Sequence, residues 1–412
     1  MKASIAFNKK SFMIELIPVL SIVFILTIGT GVVAPLLASY SLTMGANGLW
    51  VGGIYSGFYI VRFIVGSPIG IIADRIGPKW LLTISLGIYP FIALSYYFSN
   101  SLVTLFGARL LHGLASAMLL PMAMTYIGDV TPRGKEGSYM GLYNTVLFLA
   151  NGIGPILGGW VTDRWNVKSA FLLLFVLSIA TLILIFTTVT TTRKSICLNK
   201  EKDTIKKIST KIWKNGNIFS LASTYFATAV LIMFIVSFFP LFGIEKHFST
   251  LQIGILIAVY NVTVGLFQLP LGKLADKYEK TRLLLGSCIG IAVLLFIIPK
   301  QETFTLICVT ILIFSLLTAL AIASSSALAS ESGKRYGMGK TMGLLSSATS
   351  LGMIIGPLLS GFIIQTYPVS WIFYAISGFW LISAVIIKYQ YKKKKHKWSA
   401  VKDERIFSND HT

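Results

Sequence analysis

Two basic side chains stand three positions apart inside an apolar stretch of the sequence. Arg109 and His112 belong to the run 102–127, in which most residues are apolar or small. On a helix, residues three apart share a face. A guanidinium stays charged at physiological pH, whereas an imidazole changes its charge near neutral pH. The pair therefore predicts a permanent charge beside a group that could carry a proton or tune Arg109; the alternative is a neutral His112 that only hydrogen-bonds within the protein.

Arg62 is the second charge within an apolar stretch, the run 48–71. A charge at the centre of a bilayer costs roughly 2.5–3.5 kcal/mol on insertion scales, so such residues face a cavity or a partner. Arg62 has the alternative of reaching the membrane surface with its long stem. Acidic residues are missing from the middle of these apolar stretches, and Glu15 lies at the edge of the first. We therefore expect a positively charged cavity that favours neutral, amphipathic or anionic compounds.

The elements that must position these side chains are membrane-spanning helices. Hydrophobic residues make up 55% of the 412 residues and charged residues only 12%, against about 25% in soluble domains. Runs of roughly 20 apolar residues are long enough to cross a bilayer, and helices satisfy their own backbone hydrogen bonds in lipid. The predicted spans are 13–38, 48–71, 80–98, 102–127, 138–161, 168–190, 217–243, 251–271, 284–299, 304–329, 341–364 and 368–387.

The two halves of the chain repeat each other at one offset. Asp74 and Asp276 are 202 residues apart, as are the Gly-Pro pairs at 154–155 and 356–357. A constant offset at separate positions indicates duplication. The sequence thus predicts an all-α polytopic membrane protein with 12 transmembrane helices arranged as two pseudo-symmetric six-helix bundles.

Basic residues are distributed unequally between the two sides of the membrane. With the N-terminus inside, 30 of the 36 Lys and Arg fall on the cytoplasmic side, 4 on the other side and 2 within spans. This asymmetry predicts a multi-pass protein of the cell (plasma) membrane with both termini cytoplasmic. It also accounts for the net charge of +21 without nucleic acid. We expect a monomer in contact with membrane lipid.

The chain divides into four predicted parts. Residues 1–190 form the N-terminal six-helix bundle and 191–216 a polar cytoplasmic linker. Residues 217–388 form the C-terminal six-helix bundle, and 389–412 a basic cytoplasmic tail whose last residues, from about 398, are expected to lack structure.

Three motifs resemble those of the major facilitator superfamily, and the resemblance covers nearly the whole chain. Residues 70–79, Gly-Ile-Ile-Ala-Asp-Arg-Ile-Gly-Pro-Lys, are similar to the signature between its second and third helices. Residues 109–113, Arg-Leu-Leu-His-Gly, resemble its fourth-helix motif, with histidine in place of the usual glutamine. Residues 152–159, Gly-Ile-Gly-Pro-Ile-Leu-Gly-Gly, resemble the fifth-helix motif of the 12-helix drug:proton antiporters. The resemblance implies alternating access, with Arg109 linked to proton coupling.

The resemblance also implies a cytoplasmic gate that joins the two halves when the cavity opens outward. The alternative is that these charges only set the orientation. The predicted gate residues are Gly70, Asp74, Arg75, Gly77, Lys79, Asp129, Gly272, Asp276, Lys277 and Glu331.

Small residues and prolines predict bends at the moving interface of helices 5 and 11, with ordinary glycine packing as the alternative. These residues are Gly154, Pro155, Gly158, Gly159, Gly356 and Pro357. Polar pairs spaced seven apart lie on one face of helices 5 and 8, where they either contact substrate or join helices. They are Asn144, Asn151, Asn261 and Gln268.

The predicted function is secondary active transport, as proton-coupled efflux of a small neutral, amphipathic or anionic organic compound. The partners are the small-molecule substrate and protons. The alternatives are a proton symporter or uniporter that imports an organic anion or metabolite, and a non-transporting receptor with the same fold. We expect no metal or cofactor, since Cys197, Cys288 and Cys308 lack the spacing of a metal or redox site. We also expect no enzyme, because no nucleophile–base pair is apparent.

Overall fold

Twelve helices of membrane-spanning length run through the part of the chain that the computed structural model describes, residues 9–131, 136–188, 216–336 and 338–409. This agrees with the predicted fold class. The helices are α1 (Lys9–Val33, continued by Leu36–Thr43), α2 (Gly48–Ile76), α3 (Pro78–Phe98), α4 (Leu102–Val130), α5 (Glu136–Arg164), α6 (Val167–Thr188), α7 (Gly216–Ser237, continued by Phe239–Glu245), α8 (Thr250–Lys277), α9 (Lys280–Ile297), α10 (Phe304–Tyr336), α11 (Met338–Ile363) and α12 (Ser370–Asn409).

The first and seventh helices are each interrupted near one end. Pro35 follows the first segment of α1, where its missing N–H and its ring prevent a regular helix from continuing. In α7 the break falls at Phe238, with Pro240 in the first turn of the segment that follows. Helix α12 is longer than predicted. It continues past the end of the predicted span, through the lysine-rich residues 392–397, to Asn409. For residues 398–409 the expectation that the chain lacks structure was wrong, because α12 continues through them with its own backbone hydrogen bonds.

The connections that carry the charged signature are shorter than the sequence predicted. We expected a loop over 72–79, but α2 continues to Ile76 and α3 begins at Pro78, with Gly77 alone between them. Gly77 has φ +86°, a left-handed conformation that glycine adopts without steric cost. Charged residues can leave the lipid while the helix continues, because a helix satisfies its backbone internally. The predicted linker 191–216 falls almost wholly outside the described residues.

Packing within each half follows the repeat. In the first half α1 lies against α5 and α6, and α4 lies against α2 and α3. In the second half α7 lies against α11 and α12, and α10 lies against α8 and α9. Two long seams join the halves, α2 with α11 and α5 with α8, and the second segments of α1 and α7 also contact each other. We call the end of the bundle that carries Gly77 the basic face, and the end where α2 begins the opposite face.

The seams are tightest at the opposite face, where glycines allow backbone contact. A Cβ atom on Gly48 would lie 2.1 Å from the carbonyl oxygen of Gly361, and one on Gly159 would lie 2.5 Å from that of Thr250. These contacts are related by the sequence repeat, because Thr250 follows Gly48, and Gly361 follows Gly159, by 202 residues. Any larger residue at these glycines would separate the helices.

A second pair of contacts lies one turn deeper. A Cβ atom on Gly52 would lie 2.5 Å from the carbonyl oxygen of Pro357, and one on Gly254 would lie 2.3 Å from that of Pro155. Both pairs again obey the 202-residue offset. The structure is therefore closed at the opposite face by two equivalent seams.

The basic face is open in this conformation. A Cβ atom added at Gly70, Gly272 or Gly343 would meet no atom within 4 Å. On this side of the bundle a hollow of about 370 Å³ lies between α2 and α11, lined by Phe63 and Ser347 among others. The two halves therefore separate toward this face and leave a cavity between them.

Candidate functional site

Arg109 lies on α4 inside an aromatic enclosure. Its side chain is only 4% exposed, and its guanidinium carbon lies 4.5 Å from the ring centre of Phe58 and 5.1 Å from that of Tyr55. Both rings belong to α2 and offer their electron-rich faces to the cation. Such contacts partly replace the water that the charge has lost.

His112 lies beside Arg109 on the same face of α4, as the spacing predicted. Its Nδ1 atom is 3.0 Å from the Tyr96 hydroxyl and 3.4 Å from Nη1 of Arg109. A guanidinium can only donate, so Nδ1 is the acceptor and Nε2 carries the hydrogen of the neutral ring. The imidazole meets Phe58 and Tyr89 edge to face, with ring centres 5.1 and 5.4 Å apart.

The two residues line a central cavity of about 300 Å³ between the halves. Arg62 also lines this cavity, and it lies one helical turn from Phe58 toward the basic face. Arg62 also borders a second hollow next to the cavity. The wall of this hollow on α11 consists of Ser346, Ser347, Thr349 and Ser350, which carry hydroxyl groups. The hollow and the cavity share Arg62, so the cavity continues toward the open face.

Among the residues that line the cavity, all of them in the described part of the chain, none is Asp or Glu. The described ion pairs, Lys280–Glu331 and Arg282–Glu279, involve neither cavity arginine. The Nε atom of Arg109 is buried without a hydrogen-bond partner. The cavity therefore holds two cations and no carboxylate to neutralise them.

The predicted polar pairs are divided between the cavity and other surroundings. Asn151 and Asn261 line the cavity, whereas Asn144 and Gln268 do not. The side-chain amide of Asn261 donates to the Ile257 carbonyl of its own helix at 3.0 Å. The amide of Asn261 therefore bonds within its own helix and does not join it to another helix through this donor.

The structure describes only part of the predicted gate. The side chains of Asp74, Arg75 and Asp129 lie outside the described residues. In the second half Asp276 and Lys277 are exposed. The gate therefore stays a prediction, and the open basic face is the conformation in which its two sides would be apart.

Glu331 belongs to α10, and its carboxylate lies 3.0 Å from the amine of Lys280 on α9. Lys79, at the start of α3, is half-buried. The partner of Glu331 is thus a lysine that the sequence prediction did not include.

The predicted bend residues are divided between two kinds of contact. Within the first half, Gly154 faces the backbone of Gly31 and Gly158 faces that of Val32. In the second half Gly356 faces Val230 of α7. The remaining three, Gly159, Pro155 and Pro357, contact the other half at the seams. The glycine motif thus packs helices within a half as well as between halves.

Asp163, near the end of α5, joins the two halves at the opposite face. Its carboxylate oxygens accept hydrogen bonds from the backbone N–H groups of Thr250 and Leu251, at 3.1 and 2.8 Å. These amides begin α8, where backbone donors lack partners within the helix and the dipole favours a negative charge. Gln365 occupies the equivalent position 202 residues later, so this charge belongs to one seam only.

The other seam has a neutral cross-half bond. Ser56 of α2 donates from its hydroxyl to the Ile354 carbonyl of α11 at 2.7 Å. The sequence analysis did not include Asp163 or Ser56 among the site residues. It also did not include the rings of Phe58 and Tyr96. The offset could have exposed Asp163 as an acid without a counterpart, but the contacts of Ser56 require the packed structure.

The comparison with known sequences decides the family. The sequence model of the Major Facilitator Superfamily matches residues 19–259 and 245–408. The chain belongs to this superfamily. This confirms the resemblance read from the three motifs.

Relatives and a solved structure agree with this assignment over nearly the full chain. An uncharacterized MFS-type transporter from Methanocaldococcus jannaschii is 28% identical over 89% of this chain and 95% of its own length. Multidrug resistance protein 2 from Bacillus subtilis is 26% identical over 97% of this chain and 100% of its own. The crystal structure of the nucleoside transporter NupG superposes with a TM-score of 0.74 at 16% identity, over 92% of this chain and 99% of that one. The protein is thus a transporter by family, and the prediction that it is not an enzyme is confirmed.

Proposed function

We propose that this transporter exports a small organic compound by alternating access, in exchange for protons. The observation that carries the proposal is a cavity between two repeated halves, closed at the opposite face by glycine seams and continuing toward the basic face. With the basic face cytoplasmic, as the charge distribution predicts, the site would receive its substrate from inside the cell.

The likeness to Multidrug resistance protein 2 supports an efflux role, and the fifth-helix motif supports it independently. In this proposal Arg109 and His112 couple substrate to proton. The neutral, amphipathic or anionic character of the substrate follows from the two cavity arginines. The protein would act as a monomer in the cell membrane, with both termini cytoplasmic.

The contact of 3.4 Å between Nη1 of Arg109 and Nδ1 of His112 favours a second candidate, the symport of a proton with an organic anion. An anion bound at Arg109 would offset the guanidinium charge, and the neighbouring imidazole could then take up a proton more readily. Anion and proton would in that case bind together and move in the same direction.

Reconstituted vesicles can separate the two functions. The purified protein is placed in proteoliposomes with a pH-sensitive dye inside, and an outward or inward gradient of each compound in a broad panel is applied. Exchange predicts that protons move against the compound, and symport predicts that they move with it. The variant Arg109→Ala should reach the membrane in normal amounts and lose transport. If this variant transports normally, Arg109 has no part in the mechanism, and a full panel without any flux would leave a receptor role.

A further inference from the structure

We infer that the central cavity binds small organic anions, which pass Arg62 on entry, with the anionic group then held at Arg109 and an apolar body held by the walls. The inference names the substrate class of the proposed transporter and rests on that function, but it depends on neither the direction of transport nor the proton. It stands on the charge balance, the free donor and the shape of the cavity.

The charge balance comes first. Guanidinium groups do not lose their proton in proteins, and no acid lines the cavity within the described residues. The rings of Phe58 and Tyr55 offset only part of the cost of removing the Arg109 charge from water. A bound anion would supply the missing compensation, and a bound cation would add to the repulsion.

The donors of Arg109 come second. One of its terminal nitrogens faces His112, and its Nε–H is buried without an acceptor. A carboxylate can accept two parallel bonds from one guanidinium, which is the strongest neutralising arrangement available in proteins. The protein therefore leaves Arg109 with an unsatisfied donor, and although this Nε atom is covered in the present conformation, a carboxylate that turned the side chain toward the cavity would satisfy it.

Arg62 adds a second position for the charge. It lies one turn closer to the basic face than Phe58 and borders both the cavity and the hydroxyl-lined hollow. An anion that enters from the basic face would therefore meet Arg62 first and Arg109 afterwards. Two cations in series attract anions over several ångströms and make entry sensitive to salt.

The walls define the rest of the ligand. The cavity is lined mainly by apolar side chains, among them Leu119, Phe148, Ile257 and Met353. A volume of about 300 Å³ is at the lower end of the range of small-molecule sites. The expected ligand is therefore a compact amphipathic acid, apolar at one end and carboxylate at the other.

The test compares ligands of one shape and three charges. The full-length protein in detergent is titrated with 1-naphthoate, 1-naphthamide and 1-naphthylmethylammonium, and then with the corresponding acid, amide and amine of phenylacetate and of decanoate. Binding is measured from the rise in the unfolding temperature, which increases with ligand concentration over Kd. We expect the carboxylate of at least one series to bind at least about tenfold more tightly than its amide, a difference of about 1.4 kcal/mol. The amines should give no rise.

Variants locate the site. Arg62→Gln should weaken carboxylate binding about tenfold, and Arg109→Gln should abolish it. Arg62 is only half-buried, so its variant should fold and remain informative even if the Arg109 variant does not fold. Arg164→Gln removes an exposed arginine from the end of α5 and should leave binding unchanged. The inference fails if amides or amines bind as tightly as carboxylates, if no carboxylate binds, or if Arg62→Gln and Arg164→Gln behave alike.

The outcome is separable from that of the transport proposal. Carboxylate binding without movement across vesicles in either direction would remove the transport proposal and leave the anion site. Proton-coupled export of a cation would support the transport proposal and remove the anion site.

Discussion

Asp163 offers the sharpest test of how the opposite face is held closed. The substitution Asp163→Asn keeps the size of the side chain but leaves one acceptor oxygen for two backbone donors. It therefore loses one of the two bonds to α8, together with the negative charge at the start of that helix. Asp163→Ala loses both bonds.

The expected magnitude follows from the exposure of this contact. Losing a helix cap costs typically about 1 kcal/mol, with a range of about 0.5–2 kcal/mol, and a charge at a helix terminus contributes about 0.3–1 kcal/mol at exposed positions. Ser249 and Gln252 still cap α8 through their own reciprocal bonds, so the helix itself persists. We expect the closed opposite face to lose about 1 kcal/mol in Asp163→Asn, a change of about fivefold in the ratio of closed to open molecules, since about 1.4 kcal/mol is tenfold. Asp163→Ala should lose more.

The distance between the halves reports this ratio. Spin labels on cysteines at Asn100 and Thr366, exposed at the opposite face on different halves, give the populations of short and long separations by pulsed electron resonance. Glu302→Gln removes another exposed carboxylate from the same face and serves as the matched control. The reasoning is refuted if both Asp163 variants keep the wild-type distribution, or if the control shifts it equally.

Three further predictions use the same protein. Gly48→Ala should force α2 away from Gly361 and increase the population of long separations in the spin-label measurement. Gly70→Ala adds a methyl group to open space and should leave the populations unchanged. Equal behaviour of the two variants would show that the contact between Gly48 and Gly361 does not hold this face closed. His112→Gln keeps an acceptor for its neighbours but cannot titrate, so transport in vesicles should lose the part of its pH dependence that comes from this imidazole. An unchanged pH profile would remove the imidazole from coupling. Glu331→Gln breaks an ion pair whose carboxylate is 58% exposed, and it should lower stability by about 1 kcal/mol at most; a larger fall in Tm would show that the pair belongs to a wider network.

The sequence predicted the helices well because membrane burial leaves a strong local signal. Apolar runs, the 202-residue offset and the three motifs together gave the fold and the family before any coordinates. The ends of the helices were less predictable. Charged residues such as Asp276 suggested loops, yet a helix can continue into water without losing a backbone bond, and α8 does so to Lys277.

The site was only partly predictable for a different reason. The spacing of Arg109 and His112 placed them on one face, because helical geometry is local. The rings around them come from α2 and α3, and their approach depends on packing between helices that no periodicity records. Asn144 and Gln268 were also predicted from spacing alone. Each shares a helix face with a residue that lines the cavity, Asn151 or Asn261, but each lies about two turns away along its helix and does not line the cavity.

The seam contacts have a consequence for the origin of the fold. Gly52 of the first half contacts Pro357 of the second, and Gly254, the repeat of Gly52, contacts Pro155, the repeat of Pro357. This reciprocity, in which position i meets position j and j meets i, is the definition of an isologous dimer interface. A six-helix ancestor with these residues would therefore have been complementary to a second copy of itself. For such an ancestor, gene fusion would have needed to supply only a linker, because the interface between the halves would already have formed between two copies.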